Sequence, residues 1–425
     1  MNSTIEIPWQ SVLKDQEDIK TIATETLHQV IDHLPSFAPY DLTLMGGKSG
    51  IILFYSYLYK ATQNIDYYNQ AVTFIEESLV EASPETMDLS LAAGYAGLVW
   101  VMVHVAEILD LDASEIAQNL DAYIKNYSKK SLQEGDYDYM YFGMGGMLYA
   151  LEKGNEEEFL GECVDLLASF AKKDEKGIRW SESPTYTQIS DKEDLAEDVV
   201  IYNLGLSHGI SSIVVVLARC FKAGVRQNTC KELLTGIIQY FLNCKDVPMQ
   251  NNSDKEEDRY QCHFSYTNRE GENAIPDVTT NLRWCYGDLG ITAAISLAGQ
   301  YTQDSEWLQL GAQLAIDCAR RHTHKVEVTS VTEAGLCHGT IGNAHIFNRL
   351  YHLHHLSELK EASNFWLKKG LEQYEEWGQK FLVNETLFGQ PQVPGLLEGY
   401  AGIGLALMSF IYDVDPAWDK VLLLS

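Results

Sequence analysis

A short glycine pair recurs seven times along this 425-residue chain, and each copy leads into an apolar run. The copies stand at Gly47/Gly50, Gly94/Gly97, Gly143/Gly146, Gly209 with Ser212, Gly287/Gly290, Gly339/Gly342 and Gly399/Gly402. Self-similarity at intervals of about 47 to 78 residues is the mark of a repeat architecture. The runs behind the glycines, such as Ile51-Ile-Leu-Phe-Tyr and Ile403-Gly-Leu-Ala-Leu, are apolar nearly all round, as helices buried on most sides are. Between them lie amphipathic segments. In the first, Ile19, Ile22, Ala23, Leu27, Val30, Ile31 and Leu34 share one helical face, against Asp18, Lys20, Glu25 and Asp32. Each repeat therefore reads as an outer helix, a glycine turn and an inner helix. The alternation Val99, Val101, Val103, Val105 favours a strand locally, but its place in the repeat assigns it to an inner helix.

Repeats stacked in a line need polar caps at both ends, and here the first and last are as apolar as the middle ones. Closure into a ring removes that need. The expected architecture is all-α: one α/α toroid domain over residues 1–425, with seven inner and seven outer helices and the glycine turns gathered at one mouth. Two charged stretches interrupt the repeat, Lys173 to Asp198 and residues 246–277. The second, poor in aliphatics, is expected to be a surface insertion within the domain.

With 31 Lys and Arg against 60 Asp and Glu, the net charge is -29, which argues against a nucleic-acid or anionic-membrane surface. No stretch approaches the roughly 18 uninterrupted apolar residues of a membrane span. Met1 to Lys14 carries Glu6 and Pro8 and no apolar run behind a basic start, so no secretory signal is expected. Eight cysteines without framework spacing suit reduced thiols in the cytoplasm.

Two of those cysteines stand apart. Cys285 lies two residues before the fifth glycine pair, and Cys337 with His338 lies directly before the sixth. Repeat equivalence brings all three to one rim on adjacent turns. Two thiolates and one imidazole suit a catalytic Zn²⁺ that keeps a fourth position open. His208 holds the same register before Gly209 and is a candidate general acid/base. Tyr286 could donate a hydrogen bond to a developing oxyanion, and Arg283 could steady the same charge. Asp136 and Asp138, before the third pair, could orient an imidazole.

The motifs Trp284-Cys-Tyr-Gly, Cys337-His-Gly-Thr-Ile-Gly-Asn-Ala, Leu206-Ser-His-Gly and Leu397-Glu-Gly-Tyr-Ala-Gly resemble those of the lanthionine synthetase C-like family, through all seven repeats. The resemblance implies an α/α toroid holding one zinc on Cys285, Cys337 and His338. It also implies a cyclase that adds cysteine thiols to dehydroalanine or dehydrobutyrine, closing (methyl)lanthionine thioether rings in a ribosomal precursor peptide. His208 and Tyr286 match the family's catalytic histidine and tyrosine. Two positions depart from the pattern: Asn281 stands four residues before Cys285, where an Arg is usual, with Arg283 two residues on. Tyr139 stands four before Gly143, where an Asp is usual, with Asp138 adjacent. A dehydrated precursor peptide is the implied substrate. A dehydratase and a peptide exporter are candidate partners that would hold the protein peripherally at the inner membrane. Alternative readings are a glutathione conjugase acting on dehydroamino acids and a non-catalytic peptide-binding scaffold with a structural zinc.

Overall fold

The computed structural model of the chain describes residues 8–37, 40–82, 87–112, 114–182, 196, 198–245, 262–277, 280–377 and 394–425. Seven inner helices follow the seven turns: α2 (Lys48–Thr62), α4 (Tyr95–Leu109), α6 (Gly143–Lys153), α8 (Ile210–Lys222), α10 (Asp288–Thr302), α13 (Thr340–His354) and α15 (Tyr400–Ile411). Each packs on the next, and α15 packs back on α2, so the ring closes. Seven outer helices cover them: α1 (Glu17–His33), α3 (Ile65–Glu81), α5 (Ser114–Gln133), α7 (Glu157–Phe170), α9 (Gln227–Cys244), α11 (Ser305–Arg320) and α14 (Ser357–Trp377). Helix α1 lies against α15, which places the first outer helix beside the last inner one. The architecture is the expected α/α toroid.

The inner helices bury nearly every residue, all twelve of α15 among them. The valine alternation lies inside α4, where its burial decides over β propensity. On α1 the buried stripe is Ala23, Thr26, Leu27 and Val30, while Ile22 is half exposed. A short helix α12 (Lys325–Ser330) and four strands add to the helical plan. Strand β1 (Lys172–Asp174) pairs antiparallel with β2 (Gly177–Arg179), and β3 (Val200–Asn203) with β4 (Thr267–Glu270). Strands β1 and β2 open the first charged stretch, β4 lies in the second, and β3 follows directly after the first. Residues 246–261 of the expected insertion lie outside the described residues. Its remainder is anchored: Cys262, His263 and Phe264 are buried, and Asp288 at the start of α10 accepts the His263 and Phe264 N–H groups. The buried Arg179 guanidinium bonds Asp174 and Glu270, which ties the two sheets together.

Backbone hydrogen bonds link neighbouring turns into a belt. Leu397 N–H donates to Met45 O, Met45 N–H to Ala92 O, Ala92 N–H to Met140 O, Leu206 N–H to Cys285 O, Trp284 N–H to Cys337 O, and Leu336 N–H to Leu397 O. The remaining junction, between third and fourth turns, is made by side chains: His208 Nδ1 lies 2.5 Å from Asp138 Oδ2. The third turn itself is set by Phe142 and Gly145, one residue earlier than the pair Gly143/Gly146. Phe142 has φ -130 and ψ -140, close to Gly47 at -133 and -147. Gly143 N–H reaches the Asp136 carbonyl as Lys48 N–H reaches Asp41 and Tyr95 N–H reaches Asp88. A Cβ on Gly145 would stand 2.8 Å from Tyr139 O, as one on Gly50 would from Leu44 O.

Residues 417–425 pack against the inner helices and reach the fifth turn, where Trp284 donates to the Leu422 carbonyl. Trp418, Val421, Leu422, Leu423 and Leu424 are buried, and the surrounding inner helices hold this segment by polar contacts. Arg219 donates to Lys420 O, and Arg349 and His345 grip Asp419. Lys420 pairs with Glu152, which also meets His104 Nδ1 at 2.7 Å. Burial works against the Glu152 charge, but His104 and Lys420 outweigh it and hold the carboxyl at about 2, below its ordinary 4.5. A depressed carboxyl stabilises the fold above pH 4.5, and that contribution is lost as pH falls toward 2. Denaturant unfolding at pH 7 and pH 3 is expected to show a fall in stability that Glu152→Gln reduces by up to about 2 kcal/mol. An unchanged pH slope in the variant would remove Glu152 from this account.

Candidate metal centre and active site

The turn residues Gly47, Gly94, Phe142, Gly209, Gly287, Gly339 and Gly399 give a common register. Two residues before them stand Cys285 on the fifth turn and Cys337 on the sixth; one residue before stand Tyr141, His208, Tyr286, His338 and Glu398. Four before stand Asp138 on the third turn, Arg283 on the fifth and Gly335 on the sixth. Because the belt aligns the turns, these residues face one rim. In the register set by Phe142, Asp138 is not displaced, and the departure suggested by Tyr139 disappears. Tyr139 is fully buried. Only Gly287 among the turn residues has a positive φ, +85, so glycine is required directly after Tyr286.

The two thiols are joined. Cys285 and Cys337 share a hydrogen bond; this bond together with His338, Arg283 and His208 lowers Cys285 to about 7 against its burial, while the same bond and burial push Cys337 well up. The shared hydrogen bond thus favours the thiolate on Cys285 over one on Cys337. His338 Nδ1 pairs with Glu333, and its Nε2 lies 3.6 Å from Glu398 Oε1. Burial opposes the imidazolium, but Glu333 and Glu398 raise His338 to about 9. Burial pushes the Glu398 carboxyl up to about 8, against His338. Donor atoms of Cys337, His338 and Glu398 all lie within 4.8 Å of one another. This set can hold a metal ion. Its donor types fit zinc: a thiolate, a carboxylate and an imidazole whose far nitrogen is already paired with a second carboxylate. Cys285, which the sequence places with Cys337 and His338, stands outside this group of three and reaches it through its hydrogen bond to Cys337. Glu398 and Glu333 were absent from the residues that the sequence singled out, although Glu398 shares the register of His208 and His338.

Beyond the thiols, the rim continues through His208. Asp138 Oδ1 accepts the Met140 and Tyr141 N–H groups, so the carboxylate is fixed on its own turn while Oδ2 orients the imidazole. The Tyr141 ring stacks on His208 at 5.8 Å. Tyr286 packs 5.0 Å from Tyr266, and Asn203 Nδ2 donates to its hydroxyl at 3.4 Å. Asn281 donates to the Tyr266 hydroxyl instead of facing the thiols. Arg283 has no carboxylate at ion-pair distance among the described residues, and its charge acts on Cys285.

The profile of the lanthionine synthetase C-like protein family matches residues 38–423. The chain belongs to this family. Among curated proteins it is 24% identical over 401 residues to the nisin biosynthesis protein NisC of Lactococcus lactis subsp. lactis, across 90% of this chain and 89% of that protein. Among solved structures it resembles nisin cyclase with a TM-score of 0.70 at 19% identity, covering 96% of this chain and 98% of that one. In this lanthionine synthetase C-like chain the matched span takes in every turn residue and every rim residue described above. Among the described residues no helix is long and apolar enough to cross a membrane.

Proposed function

We propose that this chain is a zinc-dependent cyclase that adds cysteine thiols of a dehydrated precursor peptide to its dehydroalanine or dehydrobutyrine residues, forming thioether rings. The observation that carries the reading is the cluster of Cys337 and His338, with Cys285 hydrogen-bonded to Cys337 and an Asp138-oriented His208 on the same rim. Family membership and the similarity to a nisin biosynthesis protein support it. Cys285, Cys337 and His338 would hold the metal. When bound, zinc keeps a substrate thiol as a thiolate at neutral pH, and two resident thiolates leave that sulfur nucleophilic.

The rest falls to the chain's own groups. As the sulfur bonds to the β-carbon, the double bond's electron pair moves onto the α-carbon and its carbonyl, giving an enolate. Tyr286 and Arg283 are suited to steady that oxygen. His208, held at Nδ1 by Asp138, would deliver a proton to the α-carbon. Glu333 fixes the His338 ring through Nδ1. The natural substrate would come from an enzyme that dehydrates Ser and Thr, and the ring-closed product would go to an exporter.

Incubation with a dehydrated cysteine-containing peptide, then thiol alkylation and mass spectrometry, tests the reading. The expected result is loss of alkylatable thiols with no change in mass. Thiols that remain fully alkylatable would end the cyclase reading. A gain of one glutathione mass in its presence would favour the conjugase instead.

A further inference from the structure

Glu398 carries more than its position requires. It sits one residue before the seventh turn, in the register that elsewhere carries His208 and His338, and its side chain is 2% exposed. Neither carboxylate oxygen has a nitrogen or oxygen hydrogen-bond donor. The Cys337 thiol and the His338 ring are its polar neighbours, both belonging to the metal centre. A buried carboxylate left so is costly unless something else engages it. Space for it is kept by Gly335 on the sixth turn, where a Cβ would overlap Glu398 Oε2. A Glu398 oxygen lies within 4.8 Å of the Cys337 sulfur and a His338 nitrogen, the spacing of donors around one ion.

We infer that Glu398 is the fourth donor of the metal centre in the resting protein and is exchanged for the substrate thiol. The inference rests on the zinc reading above. Glu398 would add a carboxylate oxygen to the donors of Cys337 and His338, with the neighbouring Cys285 thiol completing the set. When a substrate thiol arrives, its S–H bond breaks, the sulfur takes the fourth position, and the proton passes to the released Glu398 carboxylate. Charge and atoms balance without a co-reactant. The exchange fills the fourth position with protein until a thiol arrives, which keeps water from occupying it.

The test uses metal binding, not turnover. Zinc affinity by chelator competition and the visible spectrum of the Co²⁺-substituted protein are measured for wild type, Glu398→Gln and Gly335→Ala. Glu398→Gln is expected to weaken zinc binding about 10–100-fold and to shift the Co²⁺ d–d bands. Gly335→Ala, which keeps the carboxylate but displaces it, should shift the bands in the same direction. Titrating a capped cysteine into the wild-type Co²⁺ protein should add a thiolate charge-transfer band and bring the wild-type and Glu398→Gln spectra together. If wild type binds one metal per chain and both variants match its affinity and spectrum, Glu398 is not a donor and this inference falls alone. If wild type binds no metal, the zinc reading falls with it.

Discussion

Cys337→Ala is expected to empty the metal centre: zinc falls from about one per chain to background, and ring closure slows at least about a thousandfold, the several kcal/mol that metal activation of a nucleophile supplies. Cys337 stands at the centre of the cluster. Its thiol bonds Cys285 and Glu398, and its carbonyl accepts from Trp284 N–H on the neighbouring turn. The carbonyl bond survives in the alanine variant, so the turn keeps its place while the donor set loses a sulfur. Metal analysis and the alkylation assay should therefore move together while the fold stays intact. The control is Cys230→Ala, a buried thiol on outer helix α9 whose Sγ reaches only the Val225 carbonyl. It should keep both metal and activity. A Cys337→Ala protein that closes rings at the wild-type rate without metal would refute the zinc chemistry.

The ring was legible because closure leaves a mark in every repeat. A buried inner helix must be apolar all round, and a tight approach between turns excludes side chains, so apolar runs follow glycines seven times. The third turn was not legible by the same rule. Phe142 takes the backbone angles that glycine takes elsewhere, and the adjacent Gly143, Gly145 and Gly146 allow two registers by eye. The backbone of Phe142, the hydrogen bond from Gly143 N–H to Asp136 O and the close approach of Gly145 to Tyr139 O decide between them. That one-residue shift made Asp138 look misplaced. Short strands such as β3 and β4 pair across more than sixty residues, and local pattern carries no sign of which segment meets which.

The site was legible in proportion to how distinctive its residue types are. Cysteine and histidine at a repeat boundary stand out, whereas glutamates in a chain with 60 acidic residues do not. Six residues before the turn residue, Asp41, Asp88 and Asn203 each accept an N–H two residues on, an ordinary turn bond. Glu333 holds the same register on the sixth turn, where its longer side chain reaches His338 instead. The repeat thus supplies a structural acceptor that the metal-bearing turn has turned to a second use. Seeing this from sequence requires aligning all seven turns by position, because no motif spans them.

His208→Asn is expected to slow ring closure about 10²–10⁴-fold, the range of a positioned general acid, and to leave zinc content unchanged. His208 stands outside the donor cluster and contacts the third turn, so its loss should separate proton delivery from thiol activation. Asp138→Asn should act in the same direction and more weakly, about tenfold or more, because the imidazole remains but loses the carboxylate that fixes its tautomer. His208→Asn should lose stereochemical control: with no imidazole delivering the proton, solvent reaches the α-carbon of the enolate from either face. Reaction in D₂O followed by hydrolysis and chiral analysis of the lanthionine reads this directly. A His208→Asn product with one configuration at the wild-type rate would remove His208 from the proton step and pass that role to another rim group.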